Sequence, residues 1–184
     1  MATAGTFDGE GNKVDRAIAM NAWIEAARPE LEQVAKTYNA VIEYGDLAAK
    51  VQGATGFVTK QLVHYWVGDV ALGCCRPDEP LLSSLVVDKG NKHVGAGYSE
   101  AVTKYQDREP KEDLQMDAAE ERLKCYIHFG AELPANGGVP TLPKEVVVAR
   151  SKAARKAFDE APRKYCPIHH IQLPRTGKCY DCDD

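Results

Sequence analysis

Apolar residues recur along the chain at spacings that name most of its elements. Ala17, Ile18, Ala22, Trp23, Ala26 and Ala27 fall on one face of a helix that runs to Arg28-Pro29, where proline predicts a stop and a second helix continues to Tyr38. Residues 41–44 read as a short strand and 46–51 as a short helix broken by the glycines at 53 and 56. Over 59–73, Leu62, Val63, Trp66, Val67, Val70 and Ala71 share one side, with Thr59 placed as an N-cap. This predicts an amphipathic helix in the second position of a helix-turn-helix. The run 81–87 reads as a strand and 88–93 as the loop of a hairpin that returns through Val94, the wing. A helix over 118–130 carries Leu123, Cys125, Tyr126, Ile127 and Phe129 and stops at Gly130, and another starts after Pro143. His128 reads as a packed histidine, since no carboxylate or nucleophile is tied to it.

Composition and charge narrow the class. The 184 residues are 44% hydrophobic with a net charge of −4, which supports one domain of ordinary size and a small accessory unit. No N-terminal apolar signal stretch and no membrane-spanning run is present, so a cytoplasmic, reducing setting is expected. There Cys74, Cys75 and Cys125, in apolar periodic segments, read as buried thiols. Charge is uneven: from residue 144 onward nine Lys/Arg face six Asp/Glu. Arg150, Lys152, Arg155, Lys156, Arg163 and Lys164 lead into the C-terminus as a phosphate-contacting surface or a solvated helix face.

The strongest local signal is at that C-terminus. Cys166, His169, Cys179 and Cys182 form two pairs, each with two residues between ligands, and Pro174 and Gly177 lie where the chain reverses. Two side chains from one tight turn reach the same ion at this spacing, which predicts a tetrahedral zinc site. Three cysteines and one histidine close the coordination sphere, so the metal is expected to be structural; a catalytic zinc keeps a position for water. His170 is a rival ligand, one residue away. The segment looks like a short zinc ribbon, Cys-Pro-x-Cys followed by Cys-x-x-Cys, with His169 in place of the second cysteine.

The span from about Val41 to Val102 resembles the DNA-binding domain of alkylguanine-DNA alkyltransferases and the non-enzymatic alkyltransferase-like proteins. Tyr44-Gly45-Asp46-Leu47-Ala48 is similar to the family's Tyr-Gly-x-Leu-Ala, and Val67-Gly68 with Ala71-Leu72 to Val-Gly-x-Ala-Leu of its recognition helix. Leu85-Val86-Val87, then Val94-Gly95-Ala96-Gly97-Tyr98-Ser99, resembles Arg-Val-Val followed by its glycine-tyrosine segment. The resemblance covers about a third of the chain. It departs from the family at the reactive centre. The positions of Pro-Cys-His-Arg hold Leu82, Ser83, Ser84 and Leu85, so neither thiolate nor base is present and alkyl transfer is expected to be absent. Tyr65 stands where the family inserts an arginine into the base stack, either as a wedge or as a tyrosine of a protein interface.

Together these readings give an α+β chain, a winged helix-turn-helix with extra helices and a small zinc ribbon. Its expected parts are a disordered 1–11, a helical 12–38, the winged helix 39–105, an acidic helical connector 106–143, a basic helix 144–165 and the ribbon 166–184. The expected function is non-enzymatic binding of duplex DNA. Tyr44, Lys60, Gln61, His64 and Tyr65 belong to the recognition side, and Lys89, Asn91, Lys92 and His93 to the wing, with Arg155 adding a phosphate contact. Residues 39–105 carry six Lys/Arg against seven Asp/Glu, so the acidic groups are expected away from those clusters. The alternative is an interaction module that docks on transcription, replication or defence machinery. No membrane partner and no small-molecule substrate is expected.

Overall fold

The computed structural model describes residues 5–161, 164–174 and 177–182, and the chain divides into two compact units, Met1–Val146 and Val147–Asp184. In the first unit the chain opens with β1 (Thr6–Phe7) and β2 (Lys13–Val14), an antiparallel pair. Asp8 closes the turn between them by accepting from the Glu10 and Asn12 N–H groups at 3.0 and 2.8 Å. The expected disorder to Gly11 is therefore corrected from Gly5 onward; residues 1–4 lie outside the described residues.

Helix α1 (Arg16–Ala35) starts at Asp15, whose carboxylate accepts from Ala17 N–H at 2.7 Å. Ala19, Trp23, Ala27, Leu31 and Ala35 are buried along one ridge at four-residue spacing. The break expected at Pro29 does not occur. Pro29 sits on the exposed face, where water can serve the backbone carbonyl left without its N–H partner, and Arg28 spans the position by pairing with Glu32 at 2.9 Å. Arg28 also donates to the Cys74 carbonyl at 2.7 Å and pairs with Glu79 at 2.6 Å, which ties the helix to the rest of the unit.

Strand β3 (Ile42–Glu43) leads directly into α2 (Tyr44–Thr55), which ends on Gly56 at φ 71°, a left-handed C-cap suited to glycine. Next come β4 (Val58–Thr59), paired antiparallel with β1, a 3-10 turn at Val63–Tyr65, and α3 (Val67–Gly73). The single helix expected over 59–73 is thus only half formed. Thr59 is engaged in β4 and its hydroxyl accepts from Gln61 N–H at 3.2 Å, while Leu62 is extended and Trp66 leaves helical geometry at φ −134°. Trp66 is fully buried against Trp23, ring centroids 4.3 Å apart, and Trp23 donates to the Phe57 carbonyl at 3.1 Å. Packing of the indole in the core outweighs continuation of the helix, and Leu62 and Val63 are left in solvent.

The run after Leu81 is a buried 3-10 turn, Leu82–Leu85, and only Val86–Val87 is strand, β5. β5 pairs in parallel with β3, Ile42 with Val86 and Glu43 with Val87. The expected wing hairpin is not formed among the described residues. Asp88 closes a tight loop to His93, and the Val94 N–H is taken by the Gln115 side chain at 3.0 Å, so no return strand can use it. The chain enters α4 (Ala96–Gln106) instead, with Gly97 laid on Gly68 so closely that a Cβ would fall 2.5 Å from the Gly68 oxygen.

Helix α5 (Leu114–His128) extends four residues further upstream than expected and is part of the core. Its polar side chains serve the backbone of the buried turn: Glu121 accepts from Leu81 N–H at 3.0 Å and Arg122 donates to the Ser84 carbonyl at 3.1 Å. Glu121 also accepts from Gln106 and Lys124, and Asp117 receives a two-bond fork from Arg108 at 2.8 and 2.9 Å. His128 is exposed, edge-on to Phe129, which corrects its reading as packed. Gly130, at φ 78°, follows the helix as the sequence predicts.

Helix α6 (Lys144–Glu160) begins after Pro143 as predicted. From Val147 onward it is exposed all round, and the described residues of the second unit bury only two side chains, Cys166 and Cys179. A single antiparallel bridge, Tyr165 to Gln172, closes the first knuckle of that unit. Arg163 lies outside the described residues.

Candidate functional site

The second unit gathers its four predicted ligands. Potential donor atoms of Cys166, His169, Cys179 and Cys182 all lie within 4.8 Å of one another. His169 Nδ1 is 3.7, 3.5 and 3.3 Å from the sulfurs of Cys166, Cys179 and Cys182, and Cys166 and Cys182 are 3.6 Å apart. A tetrahedron with zinc-type bond lengths has S···S edges of about 3.8 Å and S···N edges of about 3.6 Å. The fit is close, and the sulfurs are too far apart for disulfides; all six cysteines are free thiols. The cluster uses His169. His170, its rival, turns the chain at φ 53°.

Local geometry explains why this short segment presents the quartet. The His170 N–H donates to the Cys166 carbonyl and the Cys166 N–H to the Ile171 carbonyl, both at 2.9 Å, which folds 166–171 into a knuckle around the first pair. Within it the His169 N–H donates to Cys166 Sγ at 3.4 Å and, with the Ile168 N–H, holds that thiol down at about 6. The neighbouring Cys166 sulfur pushes Cys182 up to about 12. One ionised sulfur beside a protonated one is the arrangement a dication resolves, because it displaces the remaining protons.

The first unit carries a cavity of about 430 Å³ where α3, the Asp88 loop and the start of α4 meet. Its walls include Tyr44, His64, Asp69, Asp88, His93 and Glu100, and its floor is backbone at Gly68, Gly95 and Gly97. A Cβ on Gly95 would stand 2.5 Å from the Tyr44 hydroxyl, so the floor admits no side chain there without displacing Tyr44. Burial pushes the Tyr44 phenol above its ordinary value. Asp88 is held below the carboxylate range by the Asn91 and Gly90 N–H groups, so it is an anion at neutral pH.

The residues expected to bind nucleic acid separate into four groups. Tyr44 and His64 line the cavity, together with Asn91 and His93. Lys60, Lys89 and Tyr65 are exposed outside its lining; the His64 and Tyr65 ring centroids lie 4.1 Å apart with the planes tilted by 47°, and the neighbouring Leu62 is 62% exposed, so the three form an exposed ridge. Gln61 accepts from Arg16 at 2.5 Å, and Lys92 is ion-paired with Glu43, so both are engaged within the fold. Arg155 stands exposed on α6, in the other unit. The acidic groups expected elsewhere are here: Asp69, Asp88 and Glu100 share the cavity with the histidines. They are far apart in sequence, and only the Asp88 loop and the Gly68 to Gly97 contact bring them together, so spacing gave no sign of them.

Burial raises the Cys74 thiol to about 12 and raises Cys75 and Cys125 as well, which keeps all three protonated at neutral pH. Ser83 is 2% exposed. Among the described residues no helix is long and apolar enough to cross a membrane. The chain matches no protein-family model, no curated protein and no solved structure, so its function has to be read from its own residues.

Proposed function

We propose that the protein binds duplex DNA without catalysing a reaction, and that zinc is the ion of its C-terminal cluster. The observation that carries the DNA reading is a cavity of about 430 Å³ opening beside the exposed ridge of Leu62, His64 and Tyr65. Eversion of a base needs a wedge that fills the vacated step and a pocket that receives the base; His64 lines the cavity and its ring neighbours that of Tyr65, which supports such a pairing. The likeness of residues 41–102 to alkyltransferase-like proteins supports the same reading, since Tyr44, Gly68 and Gly95 to Gly97 all belong to the quoted motifs and line one cavity. Ser83 and the three buried thiols supply no activated nucleophile, which favours recognition over alkyl transfer.

Positive charge for the phosphates comes from Lys60 and Lys89 and from Lys152, Arg155 and Lys156, exposed at neighbouring helical positions of α6. Cys3His favours zinc by the softness of its donors and the tetrahedral edges, and it leaves no ligand position for chemistry. The test is anisotropy of a labelled mixed-sequence duplex with zinc-loaded protein at low and moderate salt, with 2-aminopurine in the duplex as a reporter of unstacking. Salt-sensitive binding that falls on Lys60→Ala/Arg155→Ala, and a fluorescence rise lost on Tyr65→Ala, are expected. No binding at low salt overturns the reading.

A second reading is docking to a protein. Ile18, Val58 and Leu62 are exposed apolar side chains, at 58%, 41% and 62%, on adjoining elements of the first unit. Capture of a partner that survives high salt and is lost on Leu62→Ser favours it.

A further inference from the structure

The cavity has a sign. Among its described lining residues are three carboxylates, Asp69, Asp88 and Glu100, and no lysine or arginine. Lys92, in the same loop as Asp88, is ion-paired with Glu43, and Arg16 approaches Asp69 only at 3.8 Å between side chains that are about half exposed. The Asp88 carboxylate is fixed by two backbone N–H groups, so it neither moves away nor protonates at neutral pH. Tyr44, His64 and His93 add flat rings.

We infer that the base this cavity accepts is a cation, namely a nucleobase alkylated on a ring nitrogen so that the ring carries positive charge. The inference rests on the DNA reading above and names the class of base. Ordinary bases and oxygen-alkylated bases are neutral and gain little from three carboxylates, which also repel the flanking phosphates. A ring-alkylated base brings a delocalised positive charge into the negative field and removes that mismatch. It also stacks against aromatic rings with a cation–π component. Selection therefore arises at the charge of the ring, with no group transferred and no bond broken.

Two isomers separate charge from shape. N1-methyladenine is cationic at neutral pH and N6-methyladenine is neutral. Each is placed opposite an abasic site in the same duplex, so that pairing strength drops out, and titrated with the full-length zinc-loaded protein by anisotropy beside an unmodified duplex. Preference for the N1-methyl duplex of roughly tenfold is expected, screened by salt. In Asp69→Asn/Asp88→Asn/Glu100→Gln, where the amide oxygen at position 88 can still accept from the loop N–H groups, the two isomers should come to near parity. Equal affinity of the wild type for both isomers overturns the inference and leaves the DNA reading standing. A preference that survives in this triple variant also overturns it, because selection then lies outside the cavity. Failure to bind any of the three duplexes overturns both.

Discussion

The two units of this chain are held by different physics. In Met1–Val146, Trp23, Leu31, Leu47, Trp66 and Leu82 are fully buried, and a polar network on α5 satisfies the backbone of the turn they enclose. In Val147–Asp184 the described residues bury Cys166 and Cys179 and nothing else. Two of the four candidate metal ligands are the interior of that unit. A segment of this length cannot bury enough apolar surface to offset its conformational entropy, and four donors on one ion would replace the missing core. One unit is thus stabilised by many small contributions and the other by one large one.

Removing the metal should have the largest effect and the most local one. Structural zinc contributes on the order of 10–16 kcal/mol to the folding of small zinc domains at neutral pH. Chelation, or Cys179→Ser, should therefore unfold the ribbon and abolish metal content by elemental analysis, while the main thermal transition stays in place. His170→Ala should retain the metal and His169→Ala should weaken it. Retention of a full equivalent in Cys179→Ser would show that the unit is held in some other way.

Trp66→Ala tests the other side. Loss of this indole should cost about 3–5 kcal/mol of the main transition in denaturant, with metal content unchanged. A change in both would break the separation of the two units.

Arg108→Ala should follow, at about 2–3 kcal/mol, because it leaves the Asp117 carboxylate buried with one remaining donor, the Lys111 N–H. Burial acts to raise the Asp117 pKa, but the Arg108 fork and that N–H outweigh it and hold the group below the ordinary carboxylate range. A carboxylate with a depressed native pKa contributes stability that is fully present above about pH 4 and is lost as pH falls through the native value. The wild type should lose stability across that acid range, and Arg108→Ala should show a flatter dependence, as read from denaturation midpoints against pH.

The smallest effect expected is that of Gly97→Ala, about 1–3 kcal/mol, since the new methyl would meet the Gly68 oxygen. It should also disturb the cavity floor, visible as NMR shifts at His93 and Tyr44. Stability equal to wild type would mean that α3 and α4 separate easily.

How much of this was legible in the sequence follows from the range of each interaction. The Cys166, His169, Cys179 and Cys182 quartet is local, with spacing that is itself the geometry, and it emerged intact. α6 and the end of α5 at Gly130 were equally local. The helix expected through Trp66 failed because a distant partner, Trp23, decides that backbone. The wing failed for the same reason: β5 finds its partner in β3, and Gln115 takes the Val94 N–H that a hairpin needs. The buried roles of Asp117, Glu121 and Arg122 left no sign in the sequence, because a charged side chain that serves a buried turn looks there like one that faces water.

The parallel pairing of β3 with β5 also sets an order of assembly. Ile42 and Val86 lie on either side of α2, β4, α3 and the buried turn, so their meeting closes a long loop for two residues of ladder on each strand. Such a contact gains little until α1 and α2 have packed around Trp23, and it should form late and open early. Tyr44 follows β3 directly and Asp88 follows β5 directly, which hangs two cavity walls on that ladder. Amide exchange at Glu43 and Val87 should then run faster than at Trp23 and Leu31, and the cavity would breathe on a timescale that the core beneath it does not share.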